Sequence, residues 1–386
     1  YKRQDLLNGK MPDTDLVLVK VLKARNNSKI GHITLNSEET LNSLTLSMVD
    51  IIHSQLSEWE KEKNIVAVIL EGAGDKAFCA GGDIRALYES MVQSPGGPNP
   101  FAEAFFEREY RLDYKIHKYS KPIICWVDGI TMGGGVGLML GCDYRFSTER
   151  TRFAMPEIGV GLFPDVGFTY FIDKLPKNIG LYMMLTATQL NAADTQLVGL
   201  TNNYISVKTK DSFTKAITEL DWSDDLQKNS EILDLCIQNF KEKPLSKEGF
   251  PESQLESRLE SVQALMSADN LVDVTKNILS NSTQDEWFKR GIKGLANGCP
   301  TSAHIIWEQS NFEKSKNLKE VFKFELDLAI QVTRHPDFTE GIRAVIIEKD
   351  NQPQWSYADI NDLPRGWIEE HLEPAWDKNP LDDLEN

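Results

Sequence analysis

Two glycine-rich turns constrain this chain more than any other feature. The first is Phe78-Cys79-Ala80-Gly81-Gly82-Asp83-Ile84, and the second is Gly129-Ile130-Thr131-Met132-Gly133-Gly134-Gly135-Val136-Gly137-Leu138. Each follows a short apolar run, Ile65–Leu70 before the first and Pro122–Val127 before the second. Each also leads into a helical pattern, one beginning near Asp83 and the other, made of small residues, ending near Gly141. A strand that delivers bare backbone to a turn just before a helix leaves N–H groups pointing outward with partial positive charge. Glycine lets another molecule approach that backbone closely. Two such N–H groups, one from each turn, would form an oxyanion hole. Either turn alone is a weak signal, since a glycine cluster before a helix is more often only a tight turn. Two of them after strands of one apparent sheet carry more weight.

The surrounding pattern fits an α/β domain. Leu16–Leu22 and Ile33–Leu35 join the two apolar runs above as expected strands, rich in Val and Ile and bounded by turn residues. Between them and Ile65, the residues Leu44, Met48, Ile52, Leu56 and Trp59 recur at helical spacing. Strands alternating with helices in this way predict an α/β fold. At 386 residues the chain has room for one large domain with an appended part, or for two. Its character changes near residue 210, so 1–210 reads as the core and 211–386 as a mostly helical C-terminal region completing the fold. Lys241–Glu252, with Pro244, Gly249 and Pro251, reads as a loop or lid. Leu318–Val332 reads as a helix with Glu325 on the face of Leu318, Phe322 and Ala329. Glu325 is there either a partner of Arg343 or a partly exposed carboxylate. Pro364 and the acidic residues from Asp377 onward read as a loosely ordered tail.

Composition removes several function classes. The formal net charge of -16 argues against general binding to nucleic acid or to anionic membranes. No stretch approaches the roughly 18 apolar residues of a membrane helix. The cysteines Cys79, Cys125, Cys142, Cys236 and Cys299 are scattered without a C-x-x-C pair, and the histidines show no ligand spacing. Free thiols in a reducing compartment and no metal site are the expectation. The chain begins at Tyr1, which leaves a removed targeting peptide open.

Carboxylates supply the remaining signal. Glu157 and Asp165 stand in Phe153–Gly167, a stretch otherwise apolar or glycine. A carboxylate among apolar residues is unfavourable unless paired or protonated. Burial raises its pKa toward the range useful for proton transfer. Each could instead cap a turn, Asp165 after Pro164 most readily. Glu109, in Phe105-Phe106-Glu107-Arg108-Glu109-Tyr110, reads by composition as a surface helix residue.

These residues together resemble a known family. Phe78–Asp83 and Asp128–Gly135 are similar to the two oxyanion-hole segments of the crotonase, or enoyl-CoA hydratase/isomerase, superfamily. The longer run Gly129–Leu138, then Phe153–Glu157 and Gly161–Gly167, resembles its 3-hydroxyisobutyryl-CoA hydrolase branch. So does the C-terminal run Arg334-His335-Pro336-Asp337-Phe338, Glu340-Gly341, Arg343-Ala344-Val345 and Lys349-Asp350. The resemblance reaches from about residue 15 to about residue 375. It implies a spiral of ββα units with helices extending from it. It also implies the Gly82 and Gly134 N–H groups as the oxyanion hole and Glu157 and Asp165 as catalytic carboxylates. Glu109 would lie near the acyl end, and coenzyme A would run past Phe78, Ala80 and Asp83, with Gly133 in the facing turn.

Two departures shape the expected activity. Hydratases of the superfamily carry a glutamate two residues after the triple-glycine turn, where this chain has Gly137. Asp165 supplies a carboxylate elsewhere, which fits the hydrolase branch. Glu38 and Glu39 stand where relatives often carry a basic residue, leaving Lys76, Arg85 and Lys349 as candidates for coenzyme A contact. Phe168 replaces a small residue and would reshape the acyl pocket. The expected activity is hydrolysis of an acyl-CoA thioester, with 3-hydroxyisobutyryl-CoA, from valine breakdown, as the substrate. No cofactor is expected, coenzyme A being part of the substrate. Superfamily habit implies a homo-oligomer. Location in a bacterial cytoplasm is expected, or in a mitochondrial matrix if a presequence was removed. Two rival readings accompany this one: hydration or isomerisation of an enoyl-CoA, and a non-catalytic member acting as a subunit of a larger assembly.

Overall fold

Runs of β-branched and aromatic residues form the strands, and the strand order shows how they are used. The computed structural model describes residues 15–241, 243, 247–312 and 317–385. β1 (Val17–Lys23) pairs antiparallel with β2 (Lys29–Leu35), Val17 opposite Leu35. The rest of that sheet is parallel, in the order β1-β2-β3-β5-β7-β9, with β3 at Ile65–Gly72, β5 at Ile123–Val127, β7 at Tyr144–Ser147 and β9 at Asn203–Tyr204. A second sheet joins β4 (Ala77–Cys79), β6 (Ile130–Met132) and β8 (Arg152–Ala154). Helix α1 (Leu46–Lys61) follows β2, α2 (Ile84–Gln93) and α3 (Pro100–His117) follow β4, and α4 (Gly134–Leu140) follows β6. From β3 onward each repeat lays one strand in each sheet before its helix. This is the expected spiral of ββα units.

The chain divides into two units whose segments alternate along the sequence. Residues 1–82, 115–153 and 190–253 make the first, which carries the sheets apart from Ala154. Every residue of β5 is buried, as are Ile65–Leu70 of β3, the pattern of a parallel sheet covered on both faces. Helices α7 (Ala192–Leu197), α8 (Lys210–Thr218) and α9 (Leu226–Lys241) belong to this unit. Phe213, Ile217, Leu233, Ile237 and Phe240 join Ile69, Ile124, Trp126 and Phe146 in one apolar cluster. α1 buries Met48, Val49, Ile52, Leu56 and Trp59 and starts one residue after Thr45, whose side chain accepts the Met48 N–H. Pro244 of the expected lid lies outside the described residues. Lys247–Glu252 is non-helical apart from a short turn, and the Tyr204 hydroxyl donates to the Glu248 carbonyl at 2.6 Å.

Residues 83–114, 154–189 and 254–386 make the second unit, which is largely helical. After α2 and α3 come α5 (Thr169–Ile172), α6 (Ile179–Thr186), α10 (Leu259–Leu265), α11 (Leu271–Leu279), α12 (Glu286–Asn297), α13 (Pro300–Ser310), α14 (Leu318–Arg334), α15 (Pro336–Ile342) and α16 (Arg365–Leu372). The C-terminal segment is anchored, contrary to the expectation of a loose tail. Leu381 is fully buried, Asp382 pairs with Lys323 at 2.9 Å and Asp383 with Arg111 at 2.9 Å. The Tyr114 hydroxyl also donates to the Glu385 carbonyl. Acidic residues that look solvated in sequence here find cations on α14 and α3. Among the described residues no helix is long and apolar enough to cross a membrane.

Candidate active site

The glycine turns lie in the first unit, and the structure brings them together. β4 pairs with β6, Cys79 opposite Thr131, so both turns leave the same short sheet. Gly81 has φ +113 and its carbonyl accepts the Leu44 N–H at 2.8 Å, while Ala80 N–H donates to the Leu41 carbonyl at 3.0 Å. Gly133 precedes α4 at φ +49, and α4 then starts at Gly134 with all seven residues buried. A Cβ on Gly135 would stand 2.3 Å from the Cys79 carbonyl oxygen, so only glycine permits this approach. Gly134 is the first residue of α4, where an N–H has no carbonyl one turn earlier to receive it. Phe78 is fully buried, and Ala80, Gly82 and Gly133 are half-buried. Lys76 in this unit is exposed.

The carboxylates lie in the second unit. The α3 residues Ala102, Phe106, Glu109, Asp113 and Ile116 fall at helical spacing and all are buried. Glu109 therefore sits on the core stripe, not on the surface as composition suggested. Neither oxygen of Asp113 has a hydrogen-bond partner among the described residues, nor has Oε1 of Glu109. Glu157 opens a short turn after Pro156 and is buried, with Oε2 likewise unpartnered among the described residues. Asp165 is buried and accepts the Tyr110 hydroxyl at 2.6 Å. Burial pushes the Asp165 carboxyl up to about 6, against the opposing pull of the Tyr110 hydrogen bond. Burial first, and then the Asp165 charge, hold Glu157 and Glu109 well above the usual carboxylate range. Asp113 is raised by burial and by its neighbours Glu109, Asp165 and Glu325.

The turn carrying Asp165 is unusual backbone. Val166 has φ +54 and Gly167 φ +83, and Phe168 N–H closes the turn onto the Asp165 carbonyl at 2.9 Å. A β-branched residue in the left-handed region costs about 1–3 kcal/mol and persists only where its surroundings enforce it. Glu325 of α14 is fully buried and accepts Gly167 N–H at 2.6 Å and Thr169 N–H at 3.0 Å. Arg343 is not its partner. That guanidinium is engaged by Glu340 at 2.7 Å, Glu348 at 2.5 Å and Asp350 at 2.8 Å. Gln309 of α13 donates to the Pro164 carbonyl at 2.7 Å and to the Thr169 hydroxyl at 2.9 Å. Phe168 is fully buried. Arg85 and Lys349 are exposed, Arg85 donating to the Ile346 carbonyl at 3.4 Å. Asp83 caps α2 by accepting the Ala86 N–H at 3.2 Å. Tyr110, Asp113 and Gln309 were missed in sequence; for the first two the helical stripe of α3 was the available signal.

Comparison with known proteins adds relatives. The family model for enoyl-CoA hydratase/isomerase matches residues 30–372. The protein named mitochondrial 3-hydroxyisobutyryl-CoA hydrolase in Danio rerio is 37% identical over 330 residues, covering 85% of this chain and 82% of that one. The protein of the same name in Homo sapiens is 34% identical over 343 residues, covering 89% and 86%. Among solved structures, a carnitinyl-CoA dehydratase from Mycobacterium thermoresistibile matches with TM-score 0.80 at 27% identity, over 96% of this chain and 100% of that one. An enoyl-CoA hydratase from Rhodobacter sphaeroides matches with TM-score 0.78 at 27% identity, over 92% and 97%.

Proposed function

This chain belongs to the enoyl-CoA hydratase/isomerase family, and from that premise we propose that it hydrolyses an acyl-coenzyme A thioester, with 3-hydroxyisobutyryl-CoA as the substrate. The observation that carries the reading is Asp165, buried and bonded to the Tyr110 hydroxyl, with its carboxyl pushed up to about 6 by burial. Relatives at 37% and 34% identity bear the hydrolase name. The matching structures at 27% identity are named a dehydratase and a hydratase, so the fold alone does not select the reaction. Gly137 does select. It lies inside α4 with no side chain to serve as the second carboxylate that hydration of a double bond requires.

In this reading the thioester carbonyl oxygen accepts hydrogen bonds from the Gly82 and Gly134 N–H groups. Charge grows on that oxygen as the carbonyl carbon becomes tetrahedral, and loss of one such donor costs roughly 3 kcal/mol. Glu157 takes a proton from the attacking water, the C–S bond breaks, and the coenzyme A thiolate leaves as the thiol with that proton. Alternatively the Glu157 carboxylate attacks the carbonyl itself, the C–S bond breaks and coenzyme A leaves as the thiolate, and water then opens the anhydride to two carboxyl groups, supplying the proton that the thiolate takes up. Oxygen-18 from labelled water found in Glu157 after one turnover marks the second route. Asp165 orients Glu157 or the water and passes the proton. Glu109 and Phe168 bound the acyl group, while Phe78, Ala80, Asp83 and Gly133 flank coenzyme A, with Lys76, Arg85 and Lys349 offered to its phosphates. The mitochondrial names of the relatives favour the matrix over a bacterial cytoplasm for this chain.

The test follows free thiol with 3-hydroxyisobutyryl-CoA and with crotonyl-CoA. Thiol release from the first, without hydration of the second, is the expected result. Hydration of crotonyl-CoA with no thiol from either ester would overturn the assignment. A non-catalytic subunit would act on neither.

A further inference from the structure

Val166 is the starting point. It follows Asp165 directly, is buried, and holds φ +54, a conformation that a β-branched side chain adopts only under constraint. The constraint is visible. α14 presents two residues one turn apart to this backbone. The ring of Phe322 lies where a Cβ on Gly167 would be 2.8 Å away, and Glu325 receives the N–H groups of Gly167 and Thr169 on its two oxygens. Among side chains only a carboxyl offers two acceptor atoms in such a fork, and Gln offers one. Without that fork two N–H groups in a buried turn would lose their acceptors. Tyr110 then meets Asp165 at 2.6 Å from α3, so the direction of the Asp165 carboxyl depends on the rotation of the turn beneath it.

We infer that Glu325 is a positioning residue, which clamps the left-handed turn at Val166–Gly167 and so aims the Asp165 carboxyl at Tyr110. The inference rests on the reading of Asp165 as a catalytic carboxylate. It assigns no substrate contact to Glu325 and gives a reason for a fully buried carboxyl on α14 that pairs with no cation among the described residues.

Glu325→Gln keeps the side-chain size, removes one acceptor and turns an NH2 group toward an amide donor. Its kcat should fall about 10- to 100-fold, as expected for a displaced catalytic group, with KM within about threefold of the original. The acid limb of the kcat profile should move to higher pH, because the Tyr110 hydrogen bond that holds Asp165 down is loosened. The same limb should move in Tyr110→Phe, and the double variant should show no further movement, since both changes break one linkage. Hydrogen exchange should quicken in a peptide spanning Gly167 and Thr169 and stay unchanged in α14. Adding Val166→Gly to Glu325→Gln removes the strain the clamp holds and should restore much of kcat. Unchanged turnover and acid limb in Glu325→Gln, or a loss carried by KM, would overturn the inference. Should Glu325→Gln fail to fold, a folded and active Val166→Gly/Glu325→Gln protein supports the clamp, and an unfolded one overturns it. If the unaltered chain releases thiol from no acyl-CoA, the hydrolase reading falls. The exchange of Gly167 and Thr169 then decides the clamp by itself.

Discussion

Glu71 in the first unit and Asp165 in the second are both largely removed from water, yet they titrate near opposite ends of the carboxylate range. Burial alone would raise Glu71, but the His32 hydrogen bond at 2.7 Å and the Lys210 charge at 2.5 Å bring it down to about 2. Asp165 has one neutral partner, the Tyr110 hydroxyl, and burial carries it to about 6. Its neighbours Glu109, Asp113, Glu157 and Glu325 are all raised as well, Glu325 to about 8. Among the described residues no lysine, arginine or histidine pairs with any of the five. The difference teaches what burial means for an acid. With cations beside it, a carboxylate is a structural anchor. Without them it is an acid poised to exchange a proton at physiological pH.

The largest expected effect separates the two roles outright. Glu157→Gln and Asp165→Asn should each lower thiol release about 10²- to 10⁴-fold, with coenzyme A binding nearly intact. Glu71→Gln should leave thiol release unchanged and instead lose about 1–3 kcal/mol in denaturant titration, because two donors lose a charged acceptor. A drop in turnover for Glu71→Gln with unchanged stability would break the comparison.

Acidity gives a finer contrast. The acid limb of kcat should centre near pH 6, set by Asp165, and Tyr110→Phe should move it upward by removing the hydrogen bond that opposes burial. An unmoved limb would assign the titration to another group. The stability consequences run in opposite directions. Asp165 holds its proton more tightly folded than unfolded, so its contribution is full below about pH 4 and is lost as pH rises to about 6. Glu71 holds its proton less tightly folded, so its contribution is full above about pH 4.3 and is lost as pH falls toward about 2.

The smallest effect concerns Asp113. Asp113→Asn removes one raised acid with no hydrogen-bond partner, so the melting temperature at pH 8 should rise while that at pH 4 stays put. Turnover should stay within about threefold of the unaltered chain, since the residue is given no catalytic role. Equal melting shifts at both pH values would show that Asp113 is not protonated in the folded chain.

Much of this was legible in the sequence, for physical reasons that can be named. β3, β5 and α1 announce themselves because their apolar runs are long enough to show a pattern. β4, β6 and β8 have three residues each, too few for alternation to appear. The glycine turns could be read because absent side chains are visible in a sequence. Glu157 and Asp165 stood out against apolar neighbours. Glu109 did not, because the charged Glu107 and Arg108 precede it and only the 102–106–109–113–116 stripe of α3 reveals its burial. Glu325 was placed on the correct helix face, but its true partners are 158 and 156 residues away, and no local pattern encodes such a contact. The C-terminal segment looked solvated because its cations lie on distant helices.

The central claim is that Glu109, Asp113, Glu157, Asp165 and Glu325, buried with no cation paired to them among the described residues, bind their protons more tightly than ordinary carboxylates. A carbon-13 titration of the aspartate and glutamate carboxyls tests it most directly, with Glu71 as the internal control. Asp165 should be half-titrated near pH 6 and Glu71 near pH 2. An Asp165 that titrates at or below about 3.9, the value of an ordinary aspartate, would contradict the account.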